Sequence, residues 1–276
     1  MRFSLRCQQA WAMSSSLLCV GLDPEPERLP AELSQQPHLE AVEAFCRGIV
    51  EATAPSCCAF KPQIAHFAAL GAEPVLERLS AWVKSKYPHH LWILDAKRGD
   101  IGSTASRYAQ EAFDRYGADA VTLNPYLGSD SIAPFLERRD KGAFILCRTS
   151  NPGASELQNL ALASGETLYE HVARLAHERW NAHDQIGLVV GATAPDELER
   201  VREIAPALPL LVPGIGTQGG DVKAVVSRAA TTAGGLFINA SRAILYAHAQ
   251  QGVHSHWQEA SAAAASALNS QIQHAR

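Results

Sequence analysis

The sequence predicts an α/β protein folded as a (β/α)8 TIM barrel, with residues 1–276 forming a single domain. Three observations carry this. Eight short runs rich in Val, Ile, Leu and Cys recur along the 276 residues. The runs are continuously apolar rather than alternating, as strands covered on both faces are. Amphipathic stretches separate them, and eight β–α units favour a closed barrel over an open sheet.

The elements follow in order. LLCVGLD (17–23) predicts the first strand, with a helix over 38–54. CCAFKPQ (57–63) precedes helical periodicity over roughly 64–86, and LWILDAK (91–97) precedes 102–117, with Ser103 or Thr104 as a start signal. AVTLN (120–124) leads to 129–140, started by Ser129 and Asp130. AFILCRT (143–149) leads to 165–183 through a connection, 150–166, longer than routine and a candidate lid. IGLVVGAT (186–193) leads to 195–205, opened by Pro195-Asp196, and PLLVPGI (209–215) to 219–230. LFINAS (236–241) precedes a final region from 242. An extra N-terminal helix within 1–16, periodic over 3–13, is expected to close the barrel base, and the Ala-rich tail 257–276 to form a terminal helix.

A hydrophobic content of 47% and a charged content of 19% are ordinary for a globular protein. The net charge of −4 gives no electrostatic case for nucleic acid or an anionic membrane, so neither is an expected partner. The opening MRFSLRCQQAWAMSSS lacks the apolar core of a signal peptide, and no run of about 18 apolar residues could span a bilayer. A cytoplasmic location is expected. The six cysteines, at 7, 19, 46, 57, 58 and 147, contain no C-x-x-C pair and read as small, buried, reduced thiols. The eleven histidines form no H-E-x-x-H and no suitably spaced set with Cys or Asp, so they read as solvated or capping groups.

Barrel chemistry sits at the C-terminal strand ends. Here those ends carry Asp23, Lys61, Asp95 with Lys97, Asn124, Arg148-Thr149-Ser150, Thr193, Gly214–Gly220 and Ser241-Arg242. In LDAKRGD (94–100), Asp95 and Lys97 are two apart on a strand and so share a face. Lys61 ends the neighbouring strand and can meet them. An alternating Lys–Asp–Lys array would keep every charge paired at low dielectric. Asp100 lies beyond the strand, where it either folds back or reaches a neighbouring subunit.

GIGTQG (214–219) matches the G-x-G-x-x-G dinucleotide fingerprint, but it follows the seventh predicted strand, and the next strand ends without the acidic residue that a ribose would need. Loops after strands 7 and 8 of a barrel commonly grip phosphate. Gly216 and Gly219 would permit close approach, and Arg242 would supply a cation. Asn124 and Tyr126, after the fourth strand, either support the site or pack locally.

The segment DAKRGDIGSTASRYA (95–109) resembles the orotidine 5′-phosphate decarboxylase family, in particular its bacterial type 2 branch. VGLDP (20–24), FKPQ (60–63), TLNPYLG (122–128), TSNPGA (149–154), PGIGTQGG (213–220) and NASRAI (239–244) extend the resemblance over most of the chain. DxKxxD alone is shared with other members of the wider barrel group, including relatives that use Mg2+ on keto-sugar phosphates. The resemblance implies a charged tetrad of Lys61, Asp95, Lys97 and Asp100, with Asp100 and Thr104 contributed across a homodimer interface. It implies that Asp23 and Lys61 bind ribose hydroxyls, that Ser150 binds the pyrimidine, and that Gln218 and Arg242 hold the phosphate. It also implies that no metal or organic cofactor is used. The expected reaction is loss of CO2 from orotidine 5′-phosphate, with the Lys97 ammonium stabilising and then protonating the C6 carbanion.

Overall fold

The computed structural model describes residues 1–276 apart from 34, 217–218, 233–234 and 251–255. Eight parallel strands close into a barrel in chain order. They are β1 Leu18–Leu22, β2 Ala59–Pro62, β3 Leu91–Arg98, β4 Ala120–Leu123, β5 Gly142–Arg148, β6 Ile186–Val190, β7 Leu210–Pro213 and β8 Leu236–Ala240. Closure pairs β8 with β1, Leu18 lying opposite Ile238 and Cys19 opposite Asn239. The expected fold class therefore holds. Burial is continuous along the strands, and in β3, β5 and β7 exposure begins only toward the C-terminal end, where the polar residues start.

The helices are α1 Phe3–Ser14, α2 His38–Thr53, α3 Ile64–Ala68, α4 Glu73–Lys86, α5 Gly102–Gln110, α6 Ser129–Leu136, α7 Ala154–Leu157, α8 Leu168–Leu175, α9 Pro195–Ile204, α10 Val222–Ala229, α11 Arg242–Leu245 and α12 Trp257–Ala275. The α1 helix covers the base of the barrel. Phe3 stands edge-on to Phe144, Trp11 tilts over Phe237, and Arg6 donates to the carbonyls of Pro88, His89 and His90 just before β3.

Several expected elements are revised. The stretch 64–86 is two helices, because Gly71 takes a left-handed φ of 61° and Pro74 sits in the first turn of α4. Ser103 and Thr104 do not cap α5, whose N-cap is Ile101 with no side-chain bond. The stretch 165–183 becomes α8, started by a Thr167–Glu170 capping box, followed by a π-helical turn over Ala176–Trp180. The stretch 219–230 shortens because Asp221 caps α10 by accepting from the N–H groups of Lys223 and Ala224. All six cysteines are buried and free.

Candidate active site

At the C-terminal end of the barrel β3 departs from regular pleating. Its register against β4 shifts between Leu94 and Arg98, and Lys97 holds a φ of 47°, a left-handed backbone uncommon outside glycine. Thr122 of β4 fills the break. Its Oγ1 accepts from the Ala96 N–H at 3.0 Å and the Lys97 N–H at 2.9 Å. Asp95 and Lys97 thus come together through a bulge, not through the plain alternation the spacing suggested.

Asp95 is the hub. Its Oδ2 accepts from Lys61 Nζ at 2.7 Å, and its Oδ1 accepts from Lys97 Nζ at 2.6 Å and from the Thr122 hydroxyl at 2.9 Å. Asp95 is 7% exposed and Lys61 4%, whereas the Lys97 side chain is 46% exposed. Burial opposes a charge on Asp95, but Lys61 and Lys97 outweigh it and hold the carboxyl well below the usual carboxylate range. Burial likewise works against the Lys61 ammonium, yet Asp95 and then Asp23 push its pKa above the ordinary lysine value. The buried half of the array is a fixed ion pair, and its exposed end is Lys97.

The remaining candidates divide. Asp23, just past β1, has a buried Oδ1 with no partner among the described residues, and so does Asn239 on β8. Tyr246 clamps the turn around Asp23. Its hydroxyl donates to the Asp23 carbonyl at 3.1 Å and accepts from the Glu25 N–H at 2.7 Å. Ser150, half-buried after β5, lies so close to Gly191 that a Cβ there would come within 2.8 Å of it. Gln158 ties the 150–166 connection back to Thr149, accepting from its N–H at 2.8 Å.

After β7, Gly214, Gly216 and Gly219 take φ values of 106°, 89° and 81°, and the turn closes through Gly219 N–H to the Gly216 carbonyl and Gly220 N–H to the Gly214 carbonyl. Arg242, at the start of α11, is exposed and makes no ion pair among the described residues. Gln218 lies outside the described residues. Asn124 is exposed and uses its Oδ1 to accept from the Tyr126 N–H at 3.0 Å, capping the local turn. Asp100 is engaged with the Ile101 N–H at 2.8 Å and does not join the array within this chain, and Thr104 is exposed. Arg98 points elsewhere, held by Glu111 at 2.8 Å and stacked over Tyr108.

Sequence reasoning missed Thr122, Asn239 and Tyr246. The first two carried a readable signal, a polar residue inside an otherwise apolar strand run. Tyr246 carried none. Among the described residues no group of three or more His, Cys, Asp or Glu is placed to hold a metal ion, and no helix is long and apolar enough to cross a membrane.

These features define a (β/α)8-barrel protein whose site pairs a Lys–Asp–Lys array, buried except at Lys97, with a glycine-rich turn and an arginine that makes no ion pair among the described residues. The chain belongs to the orotidine 5′-phosphate decarboxylase / HUMPS family, which residues 16–254 match. It is 56% identical over 274 residues to an orotidine 5′-phosphate decarboxylase of Bordetella avium, covering 99% of this chain and 98% of that one. It is 58% identical over 252 residues to the protein of that name from Verminephrobacter eiseniae, covering 90% and 91%. The solved structure of Leishmania donovani OMP decarboxylase superposes with a TM-score of 0.83 at 36% identity, covering 100% of this chain and 98% of that chain. The similarity to bacterial relatives agrees with the branch that the DAKRGD segment indicated.

Proposed function

We propose that this chain decarboxylates orotidine 5′-phosphate to UMP, the last step of de novo pyrimidine nucleotide synthesis. The observation that carries the reading is the ammonium of Lys97, held 2.6 Å from a buried carboxylate at the barrel mouth. Loss of CO2 from C6 leaves a carbanion in the plane of the ring, which the ring π system cannot absorb. A cation fixed beside C6 stabilises it electrostatically and then delivers the proton. Lys97 takes both roles, and Asp95 orients it beside the departing carboxylate.

Asp23 Oδ1, which has no partner among the described residues, and the Lys61 ammonium would take ribose hydroxyls, and Ser150 the pyrimidine. Gly216, Gly219 and Arg242, with Gln218, would hold the phosphate, and Asn124 would support the rim. Asp100 and Thr104 would serve the site of a second copy in a cytoplasmic homodimer. In support, Ile101 beside Asp100 is 56% exposed, and Tyr126 and Leu127 on the adjoining turn are 80% and 46% exposed.

No metal or organic cofactor enters this scheme. A divalent cation at Asp95 would sit against two ammonium groups, which disfavours the keto-sugar phosphate alternative. The test follows orotidylate absorbance with chelator-treated protein. Full activity is expected, and Lys97→Ala should lower kcat by at least about 10³-fold. Wild-type inactivity, or an unchanged kcat/KM in the variant, would refute the mechanism.

A further inference from the structure

We propose that Thr122 is the positioning residue that sets the geometry of Lys97, a role that rests on the decarboxylation reading above. From Leu94 to Arg98 β3 advances four residues while β4 advances two, from Val121 to Leu123, so β3 carries two residues with no ladder partner. Without a ladder partner on β4, the N–H groups of Ala96 and Lys97 need another acceptor. Both donate to Thr122 Oγ1, at 3.0 and 2.9 Å.

The hydroxyl's polarity is then forced. A hydroxyl has two acceptor positions and one hydrogen. Two N–H groups fill the acceptor positions, so the hydrogen goes to Asp95 Oδ1 at 2.9 Å. With Lys61 donating to Oδ2, both carboxyl oxygens accept, which selects the ionised carboxylate. One side chain, 1% exposed, therefore supports the left-handed backbone of Lys97 and orients the carboxylate that grips its ammonium. Valine has the same shape and neither function. Serine has both functions without the methyl.

The experiment compares Thr122→Val, Thr122→Ala and Thr122→Ser, with active sites counted by UMP titration. Thr122→Val should lose about 10²-fold in kcat, the usual effect of a reactive group displaced by about 1 Å, while KM and UMP binding stay within about threefold of wild type. Thr122→Ser should recover activity to within about tenfold of wild type. A hydroxyl with a merely structural role would lower the count of folded sites and leave kcat per site alone. A kcat per site within threefold of wild type in Thr122→Val, or equal losses in Val and Ser, would overturn the assignment. So would failure of both hydroxyl-less variants to fold while the serine variant is active. The backbone part reads without turnover: amide exchange at Ala96 and Lys97 should speed by at least about tenfold in Thr122→Val and not in Thr122→Ser. That pattern in a wild type inactive on orotidylate would sink the decarboxylation reading and keep Thr122 as the support of the bulge.

Discussion

Replacing Asp95 with Asn removes one charge at almost constant volume and strands the Lys61 ammonium. Lys61 is 4% exposed, and its one hydrogen-bond partner among the described residues is Asp95. Breaking a buried pair from one side costs about 3–5 kcal/mol, because the surviving charge stays desolvated. For a chain of this size that lowers Tm on the order of 10 °C. The pH dependence separates this cause from lost packing. In the wild type the Lys61 pKa is raised above its unfolded value of 10.5, so its stabilisation is complete below that value and fades only at higher pH. Asp95, with its pKa depressed, contributes from above its unfolded value of 3.8 and loses its contribution only as the pH falls further. The pair is therefore constant between pH 7 and 10.

In Asp95→Asn, burial is the largest influence on Lys61, and Asp23 alone offsets only part of it. Its folded pKa drops below 10.5, the unfolded state binds more protons, and the variant gains stability as pH rises. Thermal melts followed by circular dichroism at pH 7, 8.5 and 10 should show the gap to wild type narrowing. A gap that stays constant or widens, or a variant melting within about 2 °C of wild type at pH 7, would refute the reasoning.

Two further outcomes follow. Mixing inactive Asp95→Ala and Asp100→Ala chains should restore about a quarter of wild-type activity, since half of randomly paired dimers are mixed and each holds one intact site. No recovery after demonstrated subunit exchange would remove Asp100 from the partner's site. Tyr246→Phe keeps the ring stacked on Phe45 but drops the bonds to the Asp23 carbonyl and Glu25 N–H, so KM should rise about 3–10-fold. The rise should vanish in an Asp23→Ala background, and its persistence there would show that Tyr246 acts otherwise than through Asp23.

The barrel was legible because parallel strands buried on both faces write themselves as continuous apolar runs, and each of the eight runs holds a strand. Lys61, Asp95 and Lys97 were legible for the complementary reason, as charges that interrupt such runs. What was not legible depends on residues distant in sequence. Lys97 is neither Gly nor Asn, so nothing local announced its left-handed φ; the bulge exists because Thr122, on the next strand, accepts both freed amides. The break at Gly71 hid inside an apolar period that runs on through Ala72 and Val75. Asn124 was visible as a polar strand end, but its side chain is used on the Tyr126 amide. Asp100 showed two possible directions, and the single chain shows only that it does not turn back to the array.

The unequal exposure of the two lysines bears on the whole catalytic cycle. On the proposed mechanism Lys97 gives its proton to C6 and becomes a neutral amine, which leaves Asp95 without one of its two cations. A buried carboxylate so abandoned would tend to take up a proton itself and lose its grip on the site. Lys61, on Oδ2 at 2.7 Å, and the Thr122 hydroxyl, on Oδ1 at 2.9 Å, remain in place and keep Asp95 ionised. The amine meanwhile sits on a side chain that is 46% exposed, so solvent can return its proton once product departs. Had both lysines been buried alike, reprotonation would lack a path. The asymmetry makes one carboxylate able to hold an expendable proton donor and a permanent counter-ion together.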